Sequence, residues 1–134
     1  MKACSPQGKR WRCHRLALAL VPMLAACSPA ASVDIEVVDA TGQPSKGAAL
    51  SVHDSLSFKF MATANAEGCI YARGTPTRAG GRDWRMNVQS PFHQPARFQM
   101  HASGRRAYIV TLQPEGAELA SSVQEVGQLE RCRR

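Results

Sequence analysis

Val33-Asp-Ile-Glu-Val-Val-Asp39-Ala-Thr-Gly42-Gln-Pro44-Ser-Lys-Gly47-Ala48-Ala-Leu50-Ser-Val52 decides the fold of this chain. Val33, Ile35 and Val37 alternate with Asp34, Glu36 and Val38; Ala48, Leu50 and Val52 then alternate with Ala49, Ser51 and His53. Successive side chains of a strand point to opposite sides, so apolar residues at every second position mark strands with one buried face. Between the two runs, Gly42 supplies a positive φ and Pro44 fixes φ as the next strand begins, which reads as a turn. Gly47 is expected to allow a close approach of the chain before the second alternation.

The same period continues outward. Leu56, Phe58 and Phe60 alternate with Ser57, Lys59 and Met61, and a short strand covers Cys69-Ile-Tyr-Ala-Arg73. Trp84, Met86 and Val88 stand against Arg85, Asn87 and Gln89; Phe98 and Met100 against Arg97, Gln99 and His101; Tyr108, Val110 and Leu112 against Ile109 and Thr111. Turn residues separate these runs at Asn65-Ala-Glu-Gly68, from Gly74 to Gly81, and at Ser103-Gly104, which reads as a hairpin. No helical pattern intervenes, which excludes a parallel βαβ design. The expectation is all-β: a seven-stranded antiparallel β-sandwich over residues 33–113. In the tail, residues 114–134, Leu119, Val123, Val126 and Leu129 are spaced three or four apart. That tail reads either as a short amphipathic helix, Glu early and Arg late, or as a disordered end; Ser121-Ser122 and Gly127 weaken the helix.

The first 26 residues have a different character. Lys2, Lys9, Arg10, Arg12 and Arg15 precede an apolar run from Leu16 to Met23, and small residues follow. Leu16 to Ala26 is too short to span a bilayer, which takes roughly 20 residues; the pattern is that of a cleaved secretory signal. Leu24-Ala25-Ala26-Cys27 resembles the lipobox of bacterial lipoproteins. The resemblance implies diacylglycerol on the Cys27 sulfur, cleavage between Ala26 and Cys27, and acylation of the new amino terminus. Residues 27–32 then form a short tether. Of the 17 Lys/Arg, five lie in this leader, so 12 remain against all 10 Asp/Glu. The basic balance is therefore a leader property, and no nucleic-acid partner is expected.

Asp39-x-x-Gly42-x-Pro44-x-x-Gly47-Ala48-x-Leu50-x-Val52 resembles the opening of the carboxypeptidase regulatory-like domains, which share the transthyretin-like (prealbumin-like) sandwich. Thr63-Ala-Asn65-Ala-Glu67-Gly68 with Ile70 and Tyr71 is similar to the family's second turn and strand, and Val110-Thr-Leu112 to its closing strand. The glycine that the family pattern has before Phe92 is missing. The likeness covers roughly residues 33–113 and implies an accessory module with no cofactor. Some transthyretin-like proteins are hydroxyisourate hydrolases ending in Tyr-Arg-Gly-Ser. This chain ends Glu-Arg-Cys-Arg-Arg, which argues against that activity.

Cys4 and Cys13 leave with the leader and Cys27 takes lipid, so Cys69 and Cys132 remain. They form either one disulfide, in a compartment where disulfides persist, or two separate thiols; sequence leaves both open. His53, His93 and His101 lack metal-ligand spacing, and no serine sits in a G-x-S-x-G elbow. Trp84 is expected in the core, and Phe92, flanked by prolines, in an exposed loop. The reading that follows is a lipoprotein that is not an enzyme, tethered to the membrane through Cys27. Ser28 after the anchor implies the outer membrane, facing the periplasm. Its sandwich would serve an envelope protein or glycan as a binding or structural module. The alternatives are a periplasmic inhibitor or secretion-system assembly lipoprotein and, further off, a small hydrolase or metal enzyme.

Overall fold

The alternation beginning at Val33 becomes the inner strand around which one half of the molecule is assembled. The computed structural model describes residues 29–133, so Ala26 and Cys27, with the expected leader and anchor, lie outside the described residues. Eight strands form: β1 (Ala31–Asp39), β2 (Ala49–His53), β3 (Phe58–Thr63), β4 (Cys69–Gly74), β5 (Asp83–Gln89), β6 (Ala96–His101), β7 (Arg105–Leu112) and β8 (Ser122–Val126). They make two four-stranded sheets, ordered β4-β1-β7-β8 and β3-β2-β5-β6. The architecture is an all-β sandwich, with no helix among the described residues.

Period-two faces build the core. Val33, Ile35, Val37, Val110 and Leu112 of one sheet, and Leu50, Val52, Trp84 and Val88 of the other, are all fully buried. Each such side chain contributes roughly 1.5–3 kcal/mol by leaving water. Phe60 meets Trp84 edge to face, with ring centroids 5.7 Å apart, an arrangement that suits the opposite polarity of ring edge and ring face.

The structure alters the expected design in four places. First, the strands number eight rather than seven. The 114–134 segment contributes β8, which pairs antiparallel with β7 from Ala107↔Val126 to Thr111↔Ser122. Without it β7 would offer water a row of unpaired backbone groups, and the tail satisfies them as a strand where a helix would not. Second, the sandwich is not wholly antiparallel, since β1 and β7 run parallel from Ser32↔Arg105 to Asp39↔Leu112. Ser103-Gly104 accordingly carries the chain from one sheet to the other and closes no hairpin. Third, Val52 pairs Phe60 but His53 pairs Phe58, a bulge that turns Phe58 to the outer face. Phe58 there stands 51% exposed against the His53 ring, 5.4 Å away. Fourth, Gly47 has open space around it and is needed for its φ of 76°. The close approach belongs to Gly68, where a Cβ would stand 2.5 Å from the Val37 carbonyl oxygen.

After β8, residues 127–133 return as a strap across the outer face of the β4-β1-β7-β8 sheet. Cys69 and Cys132 are joined in a disulfide, Sγ–Sγ 2.02 Å and Cα–Cα 5.5 Å. Leu129 and Cys132 pack with Cys69 over Ala107, Ile109 and Val126. Arg131 reaches Glu36 at 3.6 Å, and Tyr71 Oη donates to the Arg133 carbonyl at 3.5 Å. Asp34, a residue the alternation assigns to the outer face, is buried there and accepts from Arg105 Nε and Nη2 at 3.0 and 2.7 Å.

At the β2–β3 turn, the buried Asp54 carboxylate accepts from the Leu56 and Ser57 backbone N–H at 2.8 and 2.9 Å. Those two N–H bonds, Ser57 first, hold its pKa below the ordinary value, with Lys59 adding to them. Gly80 packs so closely here that a Cβ would meet the carboxylate.

Two expectations follow. Replacing Cys132 by Ser frees a loop of 63 residues and should lower stability by about 3–4 kcal/mol. Urea unfolding monitored at the buried Trp84 measures it, and a loss below about 1 kcal/mol would show that the strap adds little. Because folding lowers the Asp54 pKa, its contribution is complete above the unfolded value and fades as pH falls through the folded one. Thermal stability should therefore drop below about pH 4. Asp54→Asn should lower Tm at neutral pH and flatten part of that acid dependence; an unchanged acid profile would remove Asp54 as a cause.

Candidate functional site

The direction of β1 gives the molecule two unlike ends. Ala31 opens the strand beside the 102–104 connection, where Ser32 N–H donates to the Gly104 carbonyl at 2.9 Å. The 54–57 and 75–82 loops lie at this same end, since β2 finishes and β5 begins there. Asp39 closes β1 at the opposite end, with the 40–48, 64–68, 90–95 and 113–121 loops.

Each loop of that far end is held by its own side chains. Asp39 Oδ1 accepts from Thr41 Oγ1, Thr41 N–H and Gln43 N–H at 2.6, 2.8 and 3.0 Å, while Gly42 sits at φ 83°. The Thr41 hydroxyl first, and the Gln43 N–H next, hold the Asp39 carboxyl below its ordinary pKa. Asn65 Oδ1 accepts from the Glu67 and Cys69 N–H at 3.1 and 2.9 Å across the turn that contains Gly68. Both are the local side-chain bonds that Asp and Asn supply in turns.

The 90–95 loop has more support. Gln94 Nε2 stands within hydrogen-bond reach of the Pro114, Ala117 and Leu119 carbonyls, at 3.2, 2.9 and 3.3 Å. Glu115 N–H donates to the Phe92 carbonyl at 3.0 Å. Ser121 Oγ donates to the Gln94 carbonyl and accepts from Gln113 N–H, each at 2.9 Å. On this framework Phe92 takes a φ of 64°, a conformation rarely used by a residue with a Cβ and one that surrounding bonds must maintain. Its ring is 81% exposed, and Leu119 on the adjoining loop is 68% exposed. An apolar pair at the tip of braced loops is able to make contact without much further ordering, which lowers the cost of association.

The remaining candidates are dispersed. His93 Nδ1 lies 2.8 Å from the Pro91 carbonyl, inside the tip. His101 Nδ1 lies 3.4 Å from Asp83 Oδ1 near the other end. His53 stacks on Phe58 on the outer face of the β3-β2-β5-β6 sheet. Among the described residues, no three His, Cys, Asp or Glu gather at a distance suited to a metal ion. The Cys69 sulfur is bonded to Cys132 and is no free nucleophile. Trp84 is fully buried in the core, and Phe98 packs against Tyr108 with centroids 4.8 Å apart. Sequence reasoning missed Gln94 and Ser121, whose partners lie between 8 and 27 positions away and form no motif.

No family model and no curated protein sequence matches the chain. Among solved structures, 5-hydroxyisourate hydrolase of Klebsiella pneumoniae aligns with a TM-score of 0.53 at 16% identity, over 72% of this chain and 99% of its own. The Bacillus anthracis TIE protein aligns with a TM-score of 0.47 at 10% identity, over 63% of this chain and 16% of its own. The first likeness corrects the expectation that the chain is not an enzyme, because a hydrolase occupies nearly its whole length with this architecture. At such identity the likeness is one of fold alone, and the chain has a transthyretin-like fold.

Proposed function

We propose that this chain is a cell-envelope lipoprotein, anchored through Cys27 in the outer membrane, that presents its sandwich to a periplasmic protein or glycan partner. One observation carries the reading: Ala31, which opens β1, stands only four positions beyond Cys27, and the exposed Phe92 tip is at the other end of that strand. Nine residues of β1 at about 3.3 Å each separate the two ends by roughly 30 Å. A lipid on Cys27 would hold the 54–57, 75–82 and 102–104 connections toward the bilayer and the Phe92 loop away from it. The leader pattern and the Leu24-Ala25-Ala26-Cys27 motif support the anchor, and the braced tip supports presentation.

Intact mass of the protein from membranes of a bacterial host tests the anchor. The expected mass is that of residues 27–134 carrying three acyl chains, and Cys27→Ala should move the protein out of the membrane fraction. An unacylated chain beginning elsewhere overturns the reading. Orientation has its own test in vesicles that carry a headgroup-attached quencher. A fluorophore on Arg78→Cys should be quenched more strongly than one on Phe92→Cys; equal quenching would remove the outward-facing tip.

A further inference from the structure

The outer faces of the two sheets are treated differently. The strap of residues 127–133 covers one, whereas the outer face of β3-β2-β5-β6 is open. Pairing sets the rows on that open face: Phe58, His53, Arg85 and Gln99 lie side by side across four strands, and Asn87 and Arg97 lie in the next row. Around His53, Arg85, Gln99, Asn87 and Arg97 is a shallow depression of about 490 Å³ whose lining includes no carboxylate, with Phe58 just beyond its His53 side.

The chemistry of this floor is specific. The Arg97 side chain has no hydrogen bond or ion pair among the described residues, and the Arg85 guanidinium donates to a neutral acceptor, the Asp54 carbonyl, at 3.1 Å. Two arginines in adjoining rows, with no acid between them, attract an anion and match a carboxylate with planar forks of donors. The half-buried Asn87 lines the depression beside Arg97, where its amide can exchange hydrogen bonds with a ligand hydroxyl. At the β3 edge the half-exposed Phe58 ring offers a flat apolar surface beside His53. Carboxylate, hydroxyl donors and a C–H face for stacking occur together in an acidic sugar. The depression is broad and shallow, without the deep apolar pocket in which a peptide anchors a side chain.

We propose that the outer face of the β3-β2-β5-β6 sheet binds a carboxylate-bearing oligosaccharide, with Arg97 and Arg85 on the carboxylate, Asn87 on a hydroxyl and Phe58 under a sugar ring. This rests on the reading of the sandwich as a glycan- or protein-binding module and names its ligand class and face. The test uses the full chain purified from membranes in a non-ionic detergent and titrated calorimetrically with tetragalacturonate. Cellotetraose, inorganic phosphate and oligoglutamate serve as comparison ligands. Saturable binding that weakens with added salt is expected for tetragalacturonate and not for cellotetraose or phosphate. Arg97→Glu should weaken it at least tenfold, about one charge-assisted contact. Arg73→Glu, an exposed arginine on the other sheet, should leave it unchanged. Absence of binding, an equal loss with Arg73→Glu, or equally tight oligoglutamate binding each overturns the proposal, the last in favour of an acidic polypeptide. Titration in detergent reads the sheet face whatever the Cys27 mass proves to be, so the two proposals fail separately.

Discussion

The parallel ladder between β1 and β7 is the constraint on which the rest of the molecule depends. It joins the strand that begins the domain to one that starts more than 70 positions later, over eight paired residues. Parallel neighbours cannot be linked by a tight turn. Here the chain makes the return by way of β4 and the second sheet, whose strands β2, β3, β5 and β6 pack on the apolar face of β1. Val33, Ile35 and Val37 are therefore buried from one side by strands that precede β7 and fixed at the flank by β7 itself. The same ladder sends the starts of both strands to one end and their finishes to the other. Segregation of the Ala31 end from the Phe92 end follows directly.

The second consequence concerns the edges. β1 and β7 are inner strands of their sheet, but β7 becomes inner only because β8 adds to it. Ser121 Oγ bridges the Gln113 N–H and the Gln94 carbonyl where β8 begins, so the tail that completes one sheet also braces the loop of the other. The strap beyond it buries a small second cluster around the Cys69–Cys132 bond. That cluster is too small to hold the chain by apolar burial alone. A covalent link restricts the unfolded chain instead, and this contribution does not depend on how many contacts the strap makes.

What the sequence disclosed was whatever repeats locally. Alternation identified seven strands and the buried faces of β1, β2, β5 and β7, since period two is a property of neighbours along the chain. Gly42 and Pro44 disclosed the first turn for the same reason, and the prolines around Phe92 disclosed its exposure. What stayed hidden depends on distant partners. Val123 and Val126 have helical spacing, yet they belong to a strand because the open edge of β7 offers hydrogen bonds that no local pattern announces. Asp34 alternates like a surface residue and is buried against Arg105, a partner 71 positions further along the chain. Phe58 follows the inward register until a bulge at Lys59 reverses it. Gln94 carries no motif at all, although three carbonyls converge on its amide.

The same contrast bears on where recognition resides. A transthyretin-like sandwich is shared by proteins of different roles, so its function must be argued from surfaces peculiar to this chain. One outer face is closed by the strap, with Asp34 paired to Arg105 and Glu36 to Arg131, so its charges are largely answered from within. On the other face the Arg97 side chain is unanswered and Arg85 meets only a carbonyl. Charge that one sheet neutralises internally is, on the other sheet, left exposed at Arg85 and Arg97.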